Sequence, residues 1–495
     1  MNTNNNYNCK ESIPETMYVD EATILGSSYA PFLTFCGENS RAFFKRVYEK
    51  ACLFSQQPIL INSVSGKSGW NTDDIIFKIP KNVDYLNGLY FKFKLSPIID
   101  FIDVERYFQT MNCGHQIIRE CRIKFNDMTV DKLNNHILNL TQSFTVPNSQ
   151  KNNYYSMISG HNVGDFSQVD QNSPSFINSP YLSQITNNGK NSQFGKELVR
   201  YDREIIQPIP FWFCQQQNSE AALPVAAVPY NNITIELDTN EENKVFSGLD
   251  SFKHLTNIEI ELWANCITVS NEERSSMACS DRDVLIRQHD HQRIYTTSEK
   301  CAANTVISRK LNFKGAVESL YFGCHGNYKY IDDGNYNLDN GLVATIQDES
   351  IYCDVSGTSL VRYANIKYEN NESRTGTNSY QYYQNVQPFF HAKNSGYSGI
   401  RDEGKLMYSF ALDVNSFDHT GYLDFSKLGI TTLELWLASK TGLSNSSNTN
   451  LTTCTEDSFF AAEIIPEPSY ATVEVVATLL NVGRFSSGAF GFPIM

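Results

Sequence analysis

Apolar and polar side chains alternate strictly at several places along this chain. A period of two suits one local structure, a strand with one face on a core and the other toward water. In "GLYFKFKLS", Leu89, Phe91, Phe93 and Leu95 share one face while Tyr90, Lys92, Lys94 and Ser96 share the other. "NITIELD" places Ile233, Ile235 and Leu237 inward and Thr234, Glu236 and Asp238 outward. "NIEIELW" repeats the pattern through Ile258, Ile260 and Leu262, and "TLELWLA" through Leu433, Leu435 and Leu437. Aromatic residues, 13% of the chain with 31 Phe and 27 Tyr, favour the same pleated, half-buried surfaces.

At 495 residues the chain exceeds what one hydrophobic core organises. Polar stretches rich in Asn, Ser, Gly and Asp separate the strands, the longest at Thr141–Lys196, His325–Gly341 and Glu369–Asn385. Such composition favours turns, so these read as long surface loops. Helical signals are few. "RAFFKRVYEKACLF" from Arg41 suits a short helix, and "NEERSSMACSDRD" opens on an N-cap-like Asn271 followed by acids, as a connector near mid-chain would. Strand-like segments fill both sides of that connector. The expected fold is therefore all-β: two tandem eight-stranded jelly rolls with short connecting helices and long loops. The expected division is an N-terminal arm over 1–40, a first roll over 41–272, a connector over 273–290 and a second roll over 291–495.

Charge narrows the function. Acids outnumber bases 54 to 40, a net charge of −14, whereas coating nucleic acid draws on Lys and Arg. The start "MNTNNNYNCKESIPE" lacks the basic and apolar regions of a signal peptide, and no run of 18 apolar residues occurs. The twelve Cys are scattered without a CxxC pair, as expected of reduced thiols in a protein made and used in the cytosol. Five sequons, at Asn139, Asn232, Asn371, Asn445 and Asn450, are then expected to stay bare.

Motifs of bond-making chemistry fall short. Gly66-Lys67-Ser68 ends like a phosphate loop, but Ile61 stands where its first Gly belongs. Asp333, Asn335, Asn337 and Asp339 mimic a calcium loop, but Leu338 replaces its central Gly and Ala344 its final Glu. His289 and His291, flanking Asp290, share one face of a strand and offer two metal ligands, with no third or fourth nearby in sequence. No catalytic, cofactor-binding or metal-ligating residue is assigned, and the chain is not expected to be an enzyme.

The segment "PIPFWFCQQQNSEAALPVAAVPYNNITIELD" from Pro208 resembles a signature of the major capsid proteins of nucleocytoplasmic large DNA viruses. Phe211, Trp212 and Phe213 match its aromatic strand, and Ala222, Leu223, Pro224, Pro229, Tyr230 and Asn231 the part that follows. Asn271, Glu272, Glu273 and Arg274 look like the core of the family's inter-domain connector. "NYYSMISG" at Asn153, "NVQPFFHA" at Asn385, "LMYSFALDVNSFDHTGYLDFSKL" from Leu406 and "SSGAFGFPIM" from Ser486 look iridovirus-like. The matches keep their order from about Arg41 to Met495. The turn at Gln215 is longer than the family's, the first forty residues have no counterpart, and the loops around Tyr328 and Asn445 are expanded.

The resemblance implies a double jelly roll, three copies of which form a pseudo-hexameric homotrimeric capsomer tiling the icosahedral outer shell of a virion assembled in the host cytoplasm. It implies as partners neighbouring capsomers, minor capsid proteins and, indirectly, an inner membrane, with no cofactor and no direct contact with nucleic acid. The long loops are expected to form the capsomer's outer crown, with both chain ends toward the inside. Jelly rolls also host lectins and cupin enzymes. A glycan-binding protein would use loop aromatics such as Tyr328, Tyr330 and Tyr336, and a cupin would need a His-rich metal cluster on inward strand positions.

Overall fold

The computed structural model describes residues 53–97, 108–109, 112–159, 203–214, 219–247, 256–297, 306–326, 328–331, 343–346, 359–368, 372–373, 375–396, 402–437 and 470–493. The helix expected near Arg41 lies outside them, as do most of the arm-side residues.

In the first half, eight of the described strands build the two main sheets, in chain order β1 Phe54–Ile61, β2 Ile75–Lys78, β3 Tyr85–Pro97, β4 Ile118–Phe125, β5 Met128–Leu133, β6 Arg203–Pro208, β7 Ile233–Thr239 and β8 Thr256–Val269. They form two antiparallel sheets in the orders β1-β8-β3-β6 and β2-β7-β4-β5. The second half repeats this with β9 Arg282–Thr297, β10 Val306–Leu311, β11 Ala316–Gly326, β12 Val361–Tyr368, β13 Glu372–Ser373, β14 Lys405–Ser409, β15 Thr431–Leu437 and β16 Tyr470–Ser486. Its sheets are β9-β16-β11-β14 and β10-β15-β12-β13. In both halves the first strand pairs with the last, the third lies beyond the last, and the second pairs with the seventh. That interleaving of chain ends is the jelly-roll winding. Each half is thus a jelly roll, and the whole an all-β double jelly roll.

The alternation places the cores. Between β3 and β8, Phe91 stands opposite Leu262, Phe93 opposite Ile260 and Leu95 opposite Ile258, and all six are buried. Their cross-strand pairing removes apolar surface from water on one face only. On β7, Ile233, Ile235 and Leu237 point into the core as expected. Glu236 and Asp238 face outward but are nearly covered. Arg122 reaches Asp238 at 3.1 Å and Glu236 at 3.3 Å, and Lys124 reaches Glu236 at 2.6 Å. Neighbouring basic residues on β4 have taken the place of water.

Two expectations change. The stretch read as a loop from Thr141 begins inside a helix, α2 Asn135–Thr145, and continues into α3 Asn148–Ser159, after a short α1 Cys113–Ile117. Asn134 caps α2, its side-chain oxygen accepting from the Ile137 amide at 2.8 Å. Lys151, Tyr154, Tyr155 and Ile158 of α3 are all buried and fall on one helical face. This part of the supposed crown is interior. The same holds for His325, Tyr383 and Gln384 at the margins of the other two loops. The connector helix, α4 Asn271–Cys279, is capped not by Asn271 but by Ser270, whose hydroxyl accepts from the Glu273 amide. The next strand, β9, already starts at Arg282.

Candidate functional site

Buried charged and hydrogen-bonding side chains gather where the two rolls meet. The first roll's core takes in Ile286, Tyr321, Met407, Val476, Phe485 and Phe490 from the second half. A second core fills the other roll. The first roll therefore has no separate apolar interior.

Around this shared core three ties are built. The helices α2 and α3 are inserted between β5 and β6; α2 packs on β11, β14 and β16 of the second roll, and α3 packs on β6 and reaches the second half through polar side chains. Lys151 on α3 is buried and pairs with Asp402 at 2.8 Å, and the Tyr155 hydroxyl donates to the other oxygen of that carboxylate at 2.5 Å. Lys151 also donates to the Gly396 carbonyl. In the reverse direction, the buried Lys405 ammonium donates to Ser143 on α2 at 2.9 Å. Each ammonium is desolvated and must have these partners.

The second tie lies near the C-terminal hairpin. The Phe490 ring packs on Phe125 of β4 at 4.4 Å between centroids, and its amide donates to Asn231 at 3.1 Å. The turn at Gly488 has φ +78°, and a Cβ there would stand 2.7 Å from the Tyr230 ring, so only glycine fits. Tyr230 and Asn231 belong to the motif that carries the family resemblance, and this contact gives them a physical role.

The third tie is the connector. Arg274 on α4 grips Asp84 with two hydrogen bonds, of 2.6 and 2.8 Å, and the Val269 amide adds a third at 2.9 Å. The Arg274 hydrogen bond holds the Asp84 carboxyl below its usual range against the opposing effect of burial.

Between these ties lies a cluster centred on Glu474 of β16, whose side chain is 0% exposed. Arg293 Nε donates to Glu474 Oε1 at 2.7 Å, His325 Nε2 contacts the same oxygen at 3.0 Å, and His291 Nε2 contacts Oε2 at 2.6 Å. His136, from α2, stacks between the rings of His291 and His325 at 5.5 Å from each, and its Nε2 meets Arg293 Nη2. Burial pushes Glu474 up, but hydrogen bonds from His291 and His325 outweigh it and leave the carboxyl well below its usual range. Ligand atoms of His136, His325 and Glu474 lie within 4.8 Å of one another, a spacing a divalent cation could use. The Arg293 guanidinium, bonded to both Glu474 and His136, already fills the cationic position in this arrangement.

His289 and His291 do share a face of β9, and that face looks into this seam. His289 accompanies Asp131 of β5, its amide donating to Oδ1 at 2.9 Å and its Nδ1 lying 3.3 Å from Oδ2. The companions absent from nearby sequence, His136, His325 and Glu474, come from positions 155 residues before to 183 after His291 in space-sharing elements. No local spacing signals them. Gly66-Lys67-Ser68 forms a turn, with Gly66 at φ +84° and the Ser68 hydroxyl accepting from the Ile260 amide at 3.2 Å. Of the calcium-like loop only Val343 and Ala344 are described, within a strand pairing with Tyr328–Ile331. The side chains of Tyr328, Tyr330 and Tyr336 lie outside the described residues. Cys121, Cys214, Cys266 and Cys279 are free thiols, and burial pushes Cys214 up to about 12 and Cys266 to about 11. Asn139, a sequon residue, is 0% exposed inside α2.

Residues 42–272 match the family described as "Major capsid protein N-terminus", and residues 273–491 the family described as "Large eukaryotic DNA virus major capsid protein". The major capsid protein of Invertebrate iridescent virus 3 is 25% identical over 485 residues, covering 92% of each chain. That of Simulium iridescent virus is 26% identical over 417 residues, covering 79% of this chain and 80% of the relative. Among solved structures, a chain of the PBCV-1 virus capsid superposes with a TM-score of 0.69 at 18% identity, covering 92% of this chain and 100% of that one. The Faustovirus major capsid protein superposes with a TM-score of 0.57 at 11% identity, covering 90% of this chain and 92% of that one.

Proposed function

The chain belongs to the major capsid protein family of large eukaryotic DNA viruses, and from that premise we propose that three copies form a pseudo-hexameric capsomer tiling an icosahedral shell. It is a structural capsid protein, not an enzyme. The observation that carries the proposal is the repeated strand order of the two rolls, joined through a shared core. Two rolls held in one fixed relation make a single tile edge, and three such pairs around an axis offer six similar sandwiches to a curved lattice.

Uncovered apolar side chains support self-association. Phe389 is 79% exposed, Phe390 64% and Leu412 73%, apolar surface that a neighbouring copy would cover. We place the protein in the outer shell of the virion, assembled in the host cytoplasm, with neighbouring capsomers as lateral partners. Minor capsid proteins would lie beneath it, and the inner membrane beyond those. The net charge of −14 argues against direct contact with the genome. We also propose the division into an arm over 1–40, rolls over 41–272 and 291–495, and a connector over 273–290 that merges into β9.

Light scattering coupled to size exclusion tests the assembly. The expected particle has three times the 56.2 kDa mass of the chain. A stable monomer at about micromolar concentration overturns the capsomer reading.

A further inference from the structure

Between α1 and α2 of the first roll lies a ladder of buried side-chain amides. Asn112 and Gln116 stand one helical turn apart at α1, and Asn139 and Asn135 one turn apart on α2. Asn112 Nδ2 donates to Asn139 Oδ1 at 3.0 Å, and Asn135 Nδ2 donates to Gln116 Oε1 at 3.0 Å. His115 Nδ1 contacts the same Asn139 oxygen at 2.7 Å. Asn112 and Gln116 are 1% exposed and Asn139 0%, so water from outside does not reach them. The backbone of α1 is served by protein. The Asn112 carbonyl accepts from the Gln116 amide at 3.1 Å, the Gln116 carbonyl from Asn240 Nδ2 at 2.7 Å, and the Ile117 carbonyl from the Asn240 amide at 2.9 Å.

Each rung of the ladder is made through a single hydrogen bond. Asn112 Oδ1, Asn139 Nδ2 and Gln116 Nε2 are buried with no hydrogen-bond partner among the described residues. Turning over both amides of a rung exchanges donor for acceptor and leaves the same number of atoms unmet. Protein interiors rarely leave such atoms bare, because a desolvated polar group without a partner is costly. Gln207 Oε1 is a further unmet atom, on the β6 side of α1, where a Cβ at Gly114 would stand 2.8 Å from it. It is packed against that backbone and lies outside the ladder.

We propose that the ladder is a site for internal water, bound between α1 and α2 by Asn112, Asn139 and Gln116. The mixture of groups selects the ligand. A metal ion takes lone pairs, which the NH2 groups of Asn139 and Gln116 do not offer. An anion takes donors, and Asn112 Oδ1 is an acceptor. Water both accepts and donates, so it can take hydrogen bonds from Asn139 Nδ2 and Gln116 Nε2 while giving one to Asn112 Oδ1. The same helix α2 accepts from Lys405 of the second roll through Ser143 at 2.9 Å. It thus carries a hydrated contact to its own roll and a charged one to the other. The water belongs to one folded chain and does not depend on how chains assemble.

A structure of the full-length protein at a resolution that shows ordered water tests the site. The expected result is a water peak at roughly 2.7–3.2 Å from at least two of Asn112, Asn139 and Gln116, at the amide atoms that face no protein group. Well-defined side chains with no such peak overturn the proposal, as do Asn112 and Asn139 amides joined by two direct hydrogen bonds. Magnetic relaxation dispersion of water oxygen counts long-lived internal waters in solution. The variant Asn112→Leu fills the same space without polar atoms, so its dispersion amplitude should fall below that of the wild type. An equal amplitude in the folded variant overturns the site. Should Asn112→Leu not fold, the wild-type structure alone decides.

Discussion

At the residue scale, Lys151 illustrates how a charge becomes structural. Its side chain is 2% exposed, and among the described residues the carboxylate it pairs with is Asp402. Replacing Asp402 with Ala leaves a buried cation without its anion and strips the Tyr155 hydroxyl of its acceptor. The expected loss is about 3–5 kcal/mol, read as a fall in denaturant midpoint without a change in slope. Replacing Lys151 with Met as well should recover part of it, because an apolar chain fills the same space with no charge to desolvate. Asp84 behaves differently, because Arg274 is partly exposed. Its carboxyl is held below the usual range, so the tie is intact above the unfolded Asp value of ~3.9 and weakens as pH falls through the lower folded value. Exchange of the α4 amides should therefore accelerate only in strong acid, as measured by hydrogen exchange across an acid pH series.

At the scale of elements, α3 and β16 show how local sequence and packing divide the work. Asn148–Ser159 is rich in Asn and Ser, which compete with helix formation through their own side-chain hydrogen bonds, so composition reads as loop. Yet Lys151, Tyr154, Tyr155 and Ile158 repeat at helical spacing, the one signal that could have identified the helix. A lysine on the buried face hides that stripe from any hydrophobicity pattern, because its partner Asp402 lies 251 residues away. On β16, Gly483 sits where a Cβ would come within 2.5 Å of Ile286 and Phe490. Gly483→Ala should destabilise by about 1–3 kcal/mol through overpacking, measured as a lower melting temperature. The same substitution at Gly491, where nothing lies within reach of the added carbon, should leave the melting temperature near that of the wild type.

At the scale of the whole molecule, the shared core makes the two rolls interdependent. Residues 41–272 expressed alone would expose the apolar surface that Tyr321, Met407, Val476, Phe485 and Phe490 cover in the full chain. That piece is expected to aggregate or to bind a hydrophobic dye strongly, and co-expression with residues 273–495 should reduce both. A soluble, dye-silent first roll with native thermal stability would contradict the dependence.

The sequence by itself determined the fold class, the two-roll plan and the core-facing residues of the alternating strands. Leu89 to Leu95 and Ile258 to Leu262 were legible because a strand's side-chain period is fixed by its own backbone, whatever it packs against. Ordered matches such as Pro229, Tyr230 and Asn231 identified the family before any contact explained them. Only the tertiary structure decided the seam. His136, His291, His325 and Glu474 lie on four elements far apart in the chain, and their meeting depends on how two sandwiches dock. The covering of Glu236 by Arg122 and Lys124, and the burial of α3, have the same origin. In each case a polar side chain is interior because a distant partner satisfies it, and such partnership leaves no period in the sequence.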